Sequence, residues 1–475
     1  MSFIGRSQEK FILNQAIKKP IANFIVVYGR RRIGKSSLIE EFCSDFDTLF
    51  FEGLSPRKGQ TQQDQLNEFH RQLSRQSQDN HDLFADWSDA FYALSQCAKK
   101  GRKAIVLDEI SWMAMEDRDF AGKLKIAWDK YFKKNSKLIL FVCGSVSAWI
   151  KDNFVVSKAF HGRVSVSLCL RELPINLCKQ FWGQQSNKIS ISEILKILSI
   201  TGGIPKYLEE IHPKLTAEEN IRQLAFSESG ILFNDFKEIF TDTLIRKSPL
   251  YEKIIRLLSE ASYDSPTLSK KLDMPGGSYL SEILEELSIA GFISRHPLWN
   301  FNTGKESKTY LYRLSDNYLR FYLKYIEPNA GKIISGNFKE RSLSSLPGWS
   351  SIMGLQIENL ILSNRQIIKK LLHIKEDEII CDNPYLQRQT QRKKGCQIDY
   401  LIQTKFNNFY VCEIKFTQTI LRSYVIDEIK EKIEKLKIPK NSSVRPVLIH
   451  FGDIHDEVLD ADYFAAVIDM KQLFQ

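Results

Sequence analysis

The residues Gly29-Arg-Arg-Arg-Ile-Gly-Lys-Ser36 have the spacing GxxxxGKS. Glycines in such a loop let backbone N–H groups face a phosphate chain, a lysine at the place of Lys35 reaches the β and γ phosphates, and a hydroxyl at the place of Ser36 ligates magnesium. The stretch Gly29, Arg30, Arg31, Arg32, Ile33, Gly34, Lys35, Ser36 and Ser37 is therefore expected to bind ATP with Mg2+.

Ala104-Ile-Val-Leu-Asp-Glu109 is apolar until its last two positions. Asp108 is placed to hold the magnesium shell with Ser36, and Glu109 to orient or deprotonate the attacking water, which points to hydrolysis rather than binding alone. Lys137-Leu-Ile-Leu-Phe-Val-Cys143 runs into Gly144-Ser145, so Ser145 is a candidate γ-phosphate sensor or a plain turn residue. Arg163, in His161-Gly-Arg163, reads either as an arginine finger or as a surface residue.

Near the other end, strand alternation in Phe409-Tyr-Val-Cys-Glu-Ile-Lys-Phe416 points Val411, Glu413 and Lys415 to one face. In Gln397-Ile-Asp-Tyr-Leu-Ile402, Asp399 falls on the face opposite Ile398, Tyr400 and Ile402, and Lys405-Phe-Asn-Asn408 is a hairpin turn. Two carboxylates on neighbouring strands can hold Mg2+ or Mn2+, while the lysine positions or activates a water near a scissile phosphate. The bland alternative is a surface strand pair with a salt bridge. Arg388, Arg392, Lys393 and Lys394 are either contacts to a nucleic-acid backbone or a solvated basic loop.

These groups need elements to position them. Asn23-Phe-Ile-Val-Val-Tyr28 reads as a buried parallel strand that feeds the loop, and Ser37 to Phe42 as the helix whose N-terminal dipole favours the anion. From Pro174 to Arg246 apolar positions recur at helical spacing, as in a helical lid. Tyr251, Ile254, Ile255 and Leu258 form one stripe, Leu268 to Leu272 a short helix, and Leu280, Ile283, Leu284 and Leu287 another stripe. A turn at Gly291 and the alternating Thr309 to Leu314 follow, then an aromatic-rich helix to Leu323 for core or interdomain packing. Between Ile326 and Trp349, Pro, Gly and Ser interrupt periodicity, which predicts a flexible joint; Leu355 to Leu362 is an amphipathic helix.

Together Phe3-Ile-Gly-Arg6 with Glu9, the loop at Tyr28 to Ser36, Leu107-Asp-Glu109 and Thr201-Gly-Gly-Ile-Pro205 resemble the archaeal-type ATPases of the STAND group, within the AAA-like P-loop proteins. The resemblance implies that Gly5 and Arg6 pack beside the nucleotide and that Gly203 and Pro205 lie near the adenine. From the residues alone, that last segment is only a helix break. The middle of the chain resembles a winged helix-turn-helix. Its third helix exposes Ser278 and Ser281 but also Glu282, Glu285 and Glu286, so DNA contact competes with intramolecular or partner docking. Asp399, Glu413 and Lys415 are similar to the D…ExK pattern of the PD-(D/E)XK restriction-endonuclease-like superfamily. That likeness implies Glu358 as the helical acid completing a metal and catalytic set. Gln397 departs from the Glu that many of those relatives carry.

The expected fold class is α/β: a P-loop NTPase parallel sheet (1–173), a helical lid (174–246), a winged helix-turn-helix (247–325), a linker (326–349) and a restriction-endonuclease-like α/β domain (350–475). A chain of 475 residues suits about three domains at roughly 150 residues each, and 43% hydrophobic with 26% charged residues excludes general disorder. The net charge of +10 favours a polyanionic partner, and DNA is the expected one; a homo-oligomer or protein partner is also open. Eight scattered cysteines without CxxC pairs read as buried thiols in a reducing cytoplasm. Met1-Ser-Phe-Ile-Gly-Arg6 does not show the basic-then-apolar pattern of a secretory signal, no run approaches the roughly 18 apolar residues of a membrane span, and no repeat or low-complexity tract is seen, so a soluble intracellular protein is expected. The expected function is ATP binding and hydrolysis controlling a metal-dependent DNA nuclease-like domain. The alternatives are a STAND-type switch or scaffold and an ATP-responsive winged-helix regulator.

Overall fold

The computed structural model describes residues 3–77, 82–115, 117–145, 148–241, 249–338, 342–389, 391, 394–417 and 419–475. The expected boundary at 246/247 and the basic residues Arg392 and Lys393 lie outside the described residues.

Five strands, β1 (Asn23–Gly29), β2 (Asp47–Glu52), β3 (Lys103–Asp108), β4 (Ile139–Ser145) and β5 (Val164–Leu170), form an all-parallel sheet in the order β2-β3-β4-β1-β5. The near-continuous apolar runs of β1, β3 and β4 fit this position, because both faces are covered. Ile25 and Val27 enter one buried cluster, and Phe24 and Val26 the other. Since β4 lies between β1 and β3, the carboxyl ends carry Gly29, Ser145 and Asp108 next to one another, at the edge where such sheets bind ligands.

The helices Ile191–Thr201, Pro205–Glu209, Ala217–Ala225 and Ile231–Thr241 follow. Ser190 caps the first by accepting from Glu193 N, and Gly202 ends it at φ +60°. Gly203 has no room for a side chain, since a Cβ there would lie 2.1 Å from the Leu173 carbonyl oxygen.

Three helices, Pro249–Glu260, Ser265–Lys271 and Ser278–Ile289, precede an antiparallel pair, β7 (Ile293–Trp299) and β8 (Glu306–Leu314). The two-residue β6 (Tyr263–Asp264) adds to β8, giving the order β6-β8-β7. The stripes at Tyr251 to Leu258 and Leu280 to Leu287 are buried.

The C-terminal part begins with helix Trp349–Ser363, longer at its start than the amphipathic pattern suggests. β9 (Ile379–Gln387), β10 (Cys396–Thr404), β11 (Asn408–Phe416), β12 (Ser443–Phe451) and β13 (Ala466–Asp469) lie in the order β13-β12-β11-β10-β9. Strands β9 to β11 run antiparallel and β11 to β13 parallel, with helix Tyr424–Lys435 as the crossover.

In the segment expected to be a flexible joint, the described residues on either side of 339–341 are packed. Leu343 and Ile333 are buried, Phe338 stacks on Phe226 with ring centroids 4.5 Å apart, and Leu343 N donates to Glu218 at 3.1 Å. Its Pro, Gly and Ser residues break the helix, but the scattered apolar side chains between them anchor it. One buried cluster runs from Ile25 through Ile194, Tyr251 and Tyr318 to Tyr400 and Val447. Among the described residues no helix is long and apolar enough to cross a membrane. All eight cysteines are free thiols, six buried and two, Cys97 and Cys169, half-buried.

Candidate nucleotide site and candidate C-terminal site

The loop after β1 turns tightly enough that a Cβ on Gly29 would lie 2.7 Å from the Leu170 carbonyl oxygen. Gly34, at φ +85°, then delivers the chain into helix Lys35–Phe42. Lys35 is buried, with Nζ 3.4 Å from the Arg30 carbonyl oxygen. Ser36 Oγ donates to Asp108 Oδ2 at 2.5 Å. A hydroxyl and a carboxylate brought together in this way are a donor set that suits a hard divalent cation. Glu109 adopts φ +45°, its N–H donating to Asp108 Oδ1 at 2.8 Å, while Ser145 N donates to Glu109 Oε2 at 3.3 Å.

Lys35, Ser36, Asp108 and Glu109 line one cleft of about 340 Å³. A neighbouring cavity of about 420 Å³, lined by Phe3, Ile4, Arg6 and Phe181, shares Gly34, Ser37, Pro205 and Glu209 with it. Arg6 is fixed between the Ile33 carbonyl (3.0 Å) and Glu9 (3.2 Å), and Gly5 sits at φ +71°. The opening box and the Gly203–Pro205 break thus come together at the end of the cleft away from Asp108. Gly203 itself bonds Leu173 and Glu172 through its backbone.

Of the three loop arginines, Arg31 and Arg32 line the cleft and also reach beyond it, while Arg30 points elsewhere. Arg30 lines neither cavity; it pairs with Asp316 at 2.7 Å and Glu172 at 3.7 Å. Arg32 pairs with Asp235 at 2.7 Å, and Arg31 donates to the Glu238 carbonyl at 3.0 Å, both on helix Ile231–Thr241. Burial pushes the Asp316 and Asp235 carboxyls above the usual range, opposed at Asp316 by Arg30. The loop motif carried no sign of this, because the acids lie 142 to 286 positions away in sequence.

Arg163 does not approach the cleft. It sits just before β5, at the amino edge of the sheet, where Asp129 grips it with contacts of 3.0 and 2.9 Å. The hydrogen bond from Arg163, ahead of every other cause, holds the Asp129 carboxyl at about 2. The seven residues of β1 separate the two edges, roughly 20 Å of strand.

At the C-terminal sheet, Tyr400 pairs with Cys412 and Leu401 with Val411, which brings Asp399 beside Glu413. A β-bulge between Ile398 and Leu401 breaks the alternation against β9. Ile398 consequently joins Leu401 in one cluster, while Tyr400 and Ile402 join another, so the expected shared face of Ile398, Tyr400 and Ile402 does not exist. Asp399 and Glu413 are both buried, and Asp399 Oδ2 accepts from Ile414 N at 3.0 Å. Burial first, then the charges of Glu413 and Glu358, push the Asp399 carboxyl well above the carboxylate range. Lys415 Nζ lies 3.2 Å from Glu413 and 2.7 Å from Glu428; despite burial, these contacts push its pKa up to about 12.

The four residues share a neighbourhood but not a metal-ligand arrangement. Among the described residues no group of three His, Cys, Asp or Glu side chains is placed to hold an ion. Lys432 caps both Glu413 oxygens at 2.7 and 2.6 Å, and Arg313 holds Glu358 at 2.6 Å. As arranged, Lys432 and Arg313 hold the carboxylate oxygens that a cation would take, so the set would have to release them to bind one. Lys432 was not singled out from the sequence, though Val425, Ile426, Ile429 and Ile433 mark an inward stripe beside it on helix Tyr424–Lys435. Arg388, one of the basic-loop candidates, pairs instead with Asp264 of β6. On the third middle helix, Glu285 pairs with Lys151 of the nucleotide-binding part and Glu286 with Tyr251.

Loop, acidic strand end and parallel sheet define a P-loop ATPase domain. Residues 3–211 match a family described as an ATPase domain predominantly from Archaea, so the chain carries an archaeal-type ATPase domain there. An uncharacterized protein of Methanocaldococcus jannaschii is 24% identical over 343 residues, 71% of either chain. A Walker-type ATPase of Pyrococcus abyssi has a similar fold, with a TM-score of 0.50 and 17% identity over 68% of this chain and 96% of that one. The ORC2 protein of Aeropyrum pernix matches with a TM-score of 0.42 and 14% identity over 70% and 96%.

Proposed function

We propose that the chain binds and hydrolyses ATP in the cleft and that its nucleotide state controls the C-terminal site, which acts on DNA. For the ATPase step, the supporting observation is the 2.5 Å contact of Ser36 with Asp108 beside Glu109. In this reading Lys35 engages the β and γ phosphates, and Ser36 and Asp108 hold the magnesium, which supplies charge neutralisation on the phosphate oxygens. Glu109 accepts the proton of the attacking water, and Ser145, 3.4 Å from Glu109, registers the γ phosphate. Gly5 and Arg6 back the nucleotide, and Gly203 and Pro205 flank the base from the lid.

For the output, the supporting observation is the buried Asp399–Glu413 pair with Lys415 at 3.2 Å. In the same reading the winged helix-turn-helix (247–325) is used for docking, which the Glu285–Lys151 pair favours over DNA reading. The capping of Glu413 by Lys432 favours a second reading, in which the same ATP switch binds partners through this domain without cutting.

Incubating the protein with varied DNA, Mg2+ or Mn2+, and ATP, ADP or a non-hydrolysable analogue tests the output, with Asp399→Ala alongside. Nucleotide-dependent cleavage lost in Asp399→Ala is expected. Identical behaviour of both proteins in every condition leaves the non-cleaving switch.

A further inference from the structure

A run of buried polar side chains lies between the phosphate loop and the C-terminal carboxylates, and the chemistry proposed above does not use it. It starts at Arg30, whose carbonyl oxygen is bonded by Lys35 and whose guanidinium pairs with Asp316 at 2.7 Å. Asp316 is 1% exposed and also caps helix Asn317–Phe321, accepting from Leu319 N at 3.0 Å. The next residue, Asn317, is tied to helix Trp349–Ser363 three times. Its side chain donates to the Gln356 carbonyl at 3.0 Å, its carbonyl accepts from Gln356 Nε2 at 2.7 Å, and its Oδ1 accepts from Asn359 Nδ2 at 2.9 Å. Asn359 Oδ1 in turn accepts from Arg313 Nε at 2.6 Å, and that same guanidinium donates to Glu358 Oε2 at 2.6 Å. Arg320, 2% exposed, braces the run from the side by donating to Gln356 Oε1 at 2.8 Å.

Helix Trp349–Ser363 would pack its buried side as well with apolar residues, yet Gln356 and Asn359, both within that side, are amides. Buried amides and guanidinium groups are tolerated only when bonded, which makes such a network demanding of one geometry. A buried carboxylate that loses its arginine is strongly disfavoured, so the departure of Arg30 destabilises Asp316 in its present place.

We propose that this run, Arg30–Asp316–Asn317–Asn359–Arg313–Glu358, is the link by which nucleotide phosphates reset the C-terminal site. Phosphates that draw Lys35 away from the Arg30 carbonyl release Arg30. Asp316 follows its partner, and Asn317 moves helix Trp349–Ser363 through its three bonds. The two arrangements of the link differ in whether Arg313 holds Glu358. This inference rests on nucleotide control of the C-terminal site and names the residues that transmit it.

Amide hydrogen exchange at Ile414, whose N–H donates to Asp399, reports on the C-terminal site without relying on cleavage. Exchange is measured on the full chain with and without a non-hydrolysable ATP analogue and Mg2+, for wild type, Asp316→Asn, Asn359→Leu and the double variant. Asparagine at 316 keeps the helix cap while removing the charge. Wild type should change by about fivefold or more on adding the analogue, and each single variant by less than about twofold. The double variant should lose no more than either single one, as for two breaks in one series link. Circular dichroism and binding of a fluorescent nucleotide check that each variant is folded and loaded; if Asp316→Asn does not fold, Asn359→Leu decides the question. Wild-type-sized responses in the folded variants overturn the link while leaving nucleotide control intact. An ATP-loaded wild type with no response at Ile414 overturns both.

Discussion

Lys35 and Glu109 face the same cleft from different strand ends, and their proposed tasks are separable. Lys35→Ala removes a charge-assisted contact to phosphate and should weaken ATP binding by about 10- to 100-fold, read by titration with a fluorescent analogue. Glu109→Gln should leave that affinity near wild type and slow phosphate release by about 100-fold or more. Equal turnover in wild type and Glu109→Gln removes Glu109 from the step. At the other site, Lys432 neutralises a glutamate that is 3% exposed. Lys432→Ala should cost about 1 to 2 kcal/mol in denaturant melts, because Lys415 remains as a second partner. The same variant should bind Mn2+ more tightly than wild type in nucleotide-free calorimetry; weaker binding would mean that Lys432 supports the site rather than closes it.

Elements decide how these residues meet. The lid joins the sheet through a backbone bond from Leu173 N to the Gly203 carbonyl at 2.8 Å, with no space for a Cβ. Gly203→Ala should therefore destabilise the chain by about 2 kcal/mol and weaken nucleotide binding, since Pro205 borders both cavities. An unchanged melting temperature would mean that the segment at Leu173, after β5, yields. The strand pair carrying Asp399 and Glu413 was legible from alternation and from the turn at Lys405 to Asn408. The bulge at Ile398 was not, because an extra residue in one strand is defined only against its partner, β9.

Across the whole molecule, one apolar cluster and the buried polar run join parts that the sequence divides at glycine- and serine-rich stretches. His296 on β7 lies in such a seam, bonded to Ser294 at 2.8 Å and to Asn383 of β9 at 3.2 Å. Burial is the main cause that lowers its pKa from 6.5 to about 4. The unfolded chain then takes up the proton first, so this contribution is fully present above about pH 6.5 and is lost as pH falls towards about 4, by about 3 kcal/mol in all. Denaturant melts of wild type and His296→Gln across this range should converge as pH falls; parallel curves would rule out His296 as a source of the slope.

The local sequence by itself determined the phosphate loop, the acidic strand end and the alternating strands, because each depends on spacings of a few residues along one element. Only the tertiary structure decided that Arg30 to Arg32 grip the lid and the middle of the chain, that Arg163 lies at the far edge, and that Lys432 and Arg313 hold the C-terminal carboxylates. Those pairings join residues 19 to 286 positions apart, where charge complementarity becomes visible only after packing has chosen which faces meet.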